Sequence, residues 1–360
     1  MRAKERRARD LMDREGLDAL AVCGSGNFAW LTCGGSNYIS IASESGPTAA
    51  VITRGGRYIV CDNIESPRIA DEEVGGLGFE IHEFAWYEGG RERIISKLAS
   101  GGTIGSDVPM EGARDVASAV QSCRRILTEA EIERYKWLGA NAGECLSLAC
   151  REIEPGNTEH EIAGLLGRYL YARGIVPTLA LIGTDERISR YRHPQPTDRK
   201  LQRVAMLVIG ARRWGLIASA TRMVHFGPLP AELRRRHDAV TRVDAALIAA
   251  TKPGARMGDI FRLGMDAYAQ AGFPGEWKLH HQGGPTGYRA RDFLVNETTD
   301  AVAAANQAFA WNPSITGAKS EDTIIATSSG PIVLSASDDW PKIEVEIGDA
   351  TIARPDVMVR

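Results

Sequence analysis

At 360 residues the chain is too long for one ordinary hydrophobic core, and its 44% hydrophobic and 25% charged residues exclude a disordered or fibrous protein. A net charge of -3 leaves no electrostatic footprint for nucleic acid, so no nucleic-acid partner is expected. No apolar run approaches the roughly 20 residues of a membrane span, which removes a membrane partner from the expectations.

The basic start, Arg2 to Arg9, is interleaved with Glu5 and Asp10 like a solvated helix face and lacks the apolar stretch of a signal peptide, so a cytoplasmic protein is expected. From Leu17 to about Ile126, short apolar runs (Ala19-Leu-Ala-Val, Ala49-Ala-Val-Ile, Tyr58-Ile-Val-Cys) alternate with glycine turns and amphipathic stretches. That pattern predicts a smaller N-terminal α/β domain over residues 1–125. Cys23, Cys33, Cys61, Cys123, Cys145 and Cys150 are scattered without metal-binding spacing and read as buried free thiols. Thr128, followed by acids and then by Ile132, Tyr135 and Leu138, predicts the capped start of a long helix and of a second domain over residues 126–360.

This second part carries an internal repeat. Glu154-Pro-Gly with Ile162 and Gly174 matches Lys252-Pro-Gly with Ile260 and Gly272, at equal spacing. Each copy predicts a turn, a helix with the Ile on its apolar face and a left-handed glycine after its end. Strands are expected next, at Thr178 to Ile182 and Trp277 to His281. Two related α-β halves around a shared sheet follow, with a site in the cleft between them. The segment Gly283-Gly-Pro-Thr-Gly287 lacks the ending and spacing of a nucleotide loop and reads as a tight turn whose backbone approaches a small ligand.

The paired Pro-Gly helices, Tyr191-Arg-His-Pro-Gln-Pro-Thr-Asp-Arg-Lys200, Ala218-Ser-Ala-Thr-Arg222 and Ser320-Glu-Asp-Thr-Ile-Ile-Ala326 resemble the creatinase, prolidase and aminopeptidase P family. Leu17 to Thr32 is similar to the start of that family's smaller domain. The resemblance implies a two-domain α/β (α+β) protein: an N-terminal creatinase-like domain and a C-terminal "pita-bread" domain of pseudo-twofold halves. It also implies a homodimer in which Asn27, Phe28 and Trp30 line a partner's site.

The family's active peptidases hold two metal ions with two Asp, one His and two Glu. Here the matching positions read Val208, Ser219, Gly284, Asn312 and Glu321, so a single carboxylate remains. A binuclear site of hard or borderline divalent ions needs more anionic ligands than that, so no metal and no cofactor are expected. The closest logic is that of creatinase, the metal-free member. His193 matches its acid/base histidine, and Glu321 matches a carboxylate that binds the substrate's cation. The resemblance therefore implies His193, Glu321 and His280 as catalytic. His281 should point away if the segment is a strand. Ser219, Thr221, Asn312, Tyr288, Arg291 and Trp311 are the substrate-binding candidates. Thr221 stands where creatinase has a second Glu, which makes creatine a poor substrate. Arg222 reads as a structural pairing residue, and His225 and His237 as structural or solvated.

A metal-independent hydrolase of a C–N bond in a small, polar, carboxylate-bearing molecule is the leading expectation. A metal-free lyase or isomerase using His193, a non-catalytic binding protein and a metal-dependent Xaa-Pro aminopeptidase are the alternatives.

Overall fold

In the computed structural model, which describes residues 1–360, the chain divides into two compact units: Met1–Arg125 with Trp214–Leu216, and Ile126–Arg213 with Ile217–Arg360. The three apolar runs of the first unit all form strands, Ala19–Gly24, Ser45–Thr53 and Arg57–Asp62. They lie at the centre of a six-stranded mixed sheet completed by Glu80–Phe84 on one edge and by Ile104–Ser106 and Ala113–Asp115 on the other. Ile95, on the helix Arg91–Leu98, packs with Ala19, Ala21, Val51 and Val60. The helix Ser25–Leu31 buries Phe28 and Trp30 completely, so neither ring can line a partner's site. Asn27 is also engaged, donating to Asp107 Oδ2 at 2.8 Å and accepting from Arg124 Nε at 2.7 Å. All six cysteines are free thiols, but only Cys23, Cys61, Cys145 and Cys150 are buried; Cys33 and Cys123 are partly exposed.

In the second unit the sequence repeat is part of a larger one. The helix Glu129–Glu152 begins with a reciprocal capping box between Thr128 and Glu131. It leads through the Pro155-Gly156 turn into the helix Glu159–Tyr171. The helix Ala231–Ala250 leads in the same way through Pro253-Gly254 into Met257–Gln270. Ile162 and Ile260 are buried on equivalent faces, and Gly174 (φ 65) and Gly272 (φ 83) take the left-handed position after the helix ends.

The first helix pair is followed by three strands of one sheet, which the C-terminal strand completes, and the second by the four strands of another, so the halves do not form one shared sheet. The first sheet runs Met358–Val359, Leu216–His225, Val204–Arg213, Val176–Thr184; the second runs Gly283–Thr286, Gln307–Trp311, Asp322–Ala326, Ile332–Val333. An isolated bridge between Thr221 and Glu321 joins them, with Thr221 N–H donating to Glu321 O at 3.0 Å.

The expected strand at Trp277 to His281 is instead a short 3-10 turn, Glu276–Leu279, ending in an irregular histidine pair. The strand starts later, at Gly283. A Cβ on Gly283 would lie 2.1 Å from Ala310 O, and one on Gly284 would lie 2.6 Å from Phe293 O. Close backbone packing inside the sheet therefore accounts for these glycines, in place of the expected ligand turn. No helix of the structure is long and apolar enough to cross a membrane.

Candidate active site

Glu321 and Asp322 sit at the junction of the two sheets, and extended backbone sends their side chains to opposite faces. On one face Asp322 accepts from Arg222 Nη2 (3.0 Å), Arg354 Nη2 (2.6 Å) and Ser335 Oγ (2.6 Å). Arg354 Nε also donates to Asp244 Oδ2 at 2.9 Å, and Ser320 Oγ donates to the same oxygen at 2.5 Å. This network is buried and fixes the start of the Asp322–Ala326 strand. Arg222 is thus a structural pairing residue, as its position suggested.

On the other face Glu321, 3% exposed, is held at both oxygens. Lys319 Nζ lies 3.0 Å from Oε2, Arg291 Nη2 donates to Oε1 at 3.0 Å, and Thr221 Oγ1 donates to Oε2 at 2.8 Å. Burial alone would push this carboxyl up. The Lys319 ammonium and the Arg291 guanidinium outweigh that, with help from Thr221, and hold it at about 2. Arg291 Nη1 also reaches Ser219 Oγ at 3.4 Å.

His193 lies on the irregular segment after the helix Glu186–Arg190. Its flanks are tied down on both sides. Ile182 N–H donates to Pro194 O at 3.1 Å, and Thr197 Oγ1 donates to the buried Glu159 at 2.7 Å. Arg192 donates to Glu276 Oε2 (2.7 Å), Ser314 Oγ (3.2 Å) and Thr316 Oγ1 (3.0 Å).

The hydrogen-bond partner of His193 is a second imidazole and not Glu321. His193 Nε2 and His280 Nε2 are 3.1 Å apart, one donating and the other accepting. His281 does not point away. Its ring stacks on that of His280, with centroids 4.4 Å apart, and lies 6.1 Å from that of His193. Gln282 sets this arrangement by donating to His280 O at 2.5 Å while accepting from Tyr268 OH at 2.8 Å.

Burial and the Lys319 ammonium depress His193 below its ordinary value, with Glu321 partly opposing. Burial, Lys319 and the neighbouring imidazoles take His280 down to about 2; burial and the Arg291 guanidinium take His281 to about 4. All three are neutral bases near pH 7.

Of the expected substrate contacts, Ser219, Thr221 and Arg291 gather around Glu321. Asn312 is 4% exposed and its Oδ1 has no hydrogen-bond partner, which leaves an acceptor uncommitted. Trp311 and Tyr288 are corrections. Trp311 is fully buried, stacks on Phe309 and donates from Nε1 to Thr251 Oγ1 at 2.9 Å. Tyr288 is 2% exposed and its hydroxyl donates to Glu131 Oε1 at 2.6 Å. Both are packing residues. His225 and His237 bond the carbonyls of Gly227 and Pro355, each at 3.0 Å, and are structural.

Sequence reasoning missed Lys319. A small hairpin, Ser314–Ile315 with Ala318–Lys319, delivers the lysine to Glu321. The signal was present: Lys319 is two residues before Glu321, hence on the same side of an extended chain.

The set of side chains does not fit a pair of divalent ions. Val208 is apolar and buried, Ser219 and Asn312 are neutral, and the backbone at Gly284 has no room for a ligating side chain. The remaining carboxylate is already neutralised by an ammonium and a guanidinium.

Residues 133–328 match the family model described as Metallopeptidase family M24, and residues 5–132 match the Creatinase/Prolidase N-terminal domain. An uncharacterized peptidase of Staphylococcus saprophyticus is 25% identical over 228 residues, covering 60% of this chain and 64% of its own length, so the match spans under two thirds of that relative. Among solved structures, the Xaa-Pro dipeptidase from Bacillus anthracis superposes with a TM-score of 0.77 at 17% identity, covering 99% of both chains. The N-terminal domain of a FACT complex subunit from Cicer arietinum also superposes, with a TM-score of 0.70 at 13% identity, covering 93% of this chain and 96% of that one. At these identities the superpositions speak for the two-domain fold alone.

Proposed function

The chain belongs to metallopeptidase family M24, and from that premise we propose that it is a hydrolase which cleaves a C–N bond of a small polar substrate without bound metal. The observation that carries this reading is the set of groups on Glu321. Lys319 and Arg291 supply fixed positive charge at the one ligand position that is retained, where the family's chemistry draws on metal ions.

His193 is the acid/base group of this reading. As a neutral imidazole it takes a proton from water while the water oxygen bonds to the carbonyl or amidine carbon; the imidazolium then returns that proton to the leaving nitrogen as the C–N bond breaks. His280, hydrogen-bonded to His193, sets which nitrogen of His193 carries the proton. The negative charge that develops on the attacked group is met by the Lys319 and Arg291 cations. Asn312 Oδ1, an uncommitted buried acceptor, suits a substrate N–H. Glu321 orients the two cations and is not the general base, because a carboxyl held at about 2 is too weak a base to take a proton from water near pH 7.

The test is turnover by chelator-treated protein of a panel of N-acyl amino acids, ureas, guanidino acids and Xaa-Pro dipeptides, followed by release of amine or ammonia. At least one small member should be hydrolysed, and His193→Ala should lower its kcat at least 100-fold with the fold intact by circular dichroism. Turnover that depends on added Mn2+ or Co2+, or that survives His193→Ala, would sink the proposal.

A further inference from the structure

The three histidines carry a property that acid/base chemistry does not need. His193, His280 and His281 each offer a ring nitrogen within 4.8 Å of the others, and no carboxylate belongs to the group. The pair of Nε2 atoms, 3.1 Å apart, is already close to the edge of a tetrahedron with arms of about 2.0–2.1 Å, which is roughly 3.3 Å. His280 is held by Gln282 through its backbone, and the Nδ1 atoms of His280 and His281 have no hydrogen-bond partner. His193, the exposed member, is the ring with room to close the remaining gap.

We propose that these three imidazoles bind one borderline transition-metal ion, Zn2+ or a similar divalent ion, and that its occupation switches hydrolysis off by engaging the lone pair of His193. The site differs in kind from the family's acid-rich pair of metal positions, because its ligands are neutral nitrogens. Neutral imidazoles bind without first losing a proton, and they favour Zn, Cu, Ni or Co over the oxygen-seeking Mg, Ca and Mn. Lys319 and Arg291 against Glu321 leave one net positive charge nearby. That further disfavours hard ions, which gain affinity from carboxylates, and selects hydroxide or chloride as fourth ligand.

The binding half of this inference stands on geometry alone; the inhibitory half rests on His193 being the base of the proposed reaction. The experiment titrates ZnCl2 into the chelator-treated, desalted full chain against a chromophoric chelator, and CoCl2 while recording the visible spectrum. One equivalent of Zn2+ should bind, Co2+ should give the intense visible band of a four-coordinate site, and MgCl2 and MnCl2 should not compete.

His281→Ala, checked alongside His281→Gln for an unchanged melting curve, should weaken Zn2+ binding at least 10-fold. Its metal-free turnover should be retained and should become insensitive to Zn2+. Absence of the Co2+ band, or Zn2+ binding equal in wild type and both His281 variants, would overturn the site while leaving the base role of His193 intact. Binding that depends on His281 but leaves turnover unchanged, or raises it, would overturn the switch and the base role together.

Discussion

The two faces of the chain at Glu321 and Asp322 hold nearly the same ingredients and use them differently. Each face has a buried carboxylate bound by two cationic side chains and a hydroxyl. The Asp322 face adds Asp244 as a second acid, and leaves Asp244 Oδ1, Arg222 Nε and Arg354 Nη1 without hydrogen-bond partners. Burial holds the Asp244 carboxyl up at about 6 despite Arg354. The Glu321 face instead meets three imidazoles, whose values Lys319 and Glu321 both influence. A buried charged cluster is therefore no sign of function by itself. The informative feature is the kind of group gathered beside the cluster, three neutral imidazoles within reach of one another on the Glu321 side.

Substitutions on the two faces should separate these roles. The largest stability loss is expected from Arg354→Met, which leaves Asp244 and Asp322 short of their shared partner and should cost about 3–5 kcal/mol in denaturant unfolding. Lys319→Met should cost less stability, about 1–3 kcal/mol, because Arg291 and Thr221 still hold Glu321. It should nevertheless lower kcat by about 100-fold through loss of charge stabilisation. It should also move the acidic limb of the pH–rate profile upward, since removing the ammonium lets the His193 value rise toward its ordinary 6.5.

Glu321→Gln sharpens the comparison through pH. The folded-state carboxyl lies below its ordinary 4.5, so its contribution to stability is present above that pH and is lost as pH falls toward 2. The wild type should therefore lose more stability than the Gln variant across that window, as read by denaturant unfolding at successive pH values. Trp311→Phe should have the smallest effect: about 1 kcal/mol for the lost bond to Thr251, with kcat/KM unchanged because the ring is packed in the core.

The pattern of what was legible in the sequence follows from how far apart the cooperating residues lie. Capping at Thr128, the Pro-Gly turns and the glycine stops are local and could be read directly. His193, His280, Ser219 and Glu321 could be placed because each sits in a short ordered block. The partners of Glu321 could not, because Lys319 arrives on a two-residue-strand hairpin with no local signature, and the bond from Thr221 joins two sheets. Trp311 and Tyr288 were misjudged because an aromatic residue beside a site motif looks the same whether it faces the cavity or the core; only tertiary packing decides. His281 was misjudged because an assumed strand alternation failed where the chain turns irregular.

The most direct test of the account is the metal dependence of turnover once a substrate is in hand. Initial rates would be measured after exhaustive chelation, and again after adding two equivalents of Mn2+, alongside the same protein's metal content. The account predicts full activity at substoichiometric metal and no gain from Mn2+. Loss of activity on chelation, restored by two tightly held ions per chain, would contradict it and show that Lys319 and Arg291 do not stand in for metal.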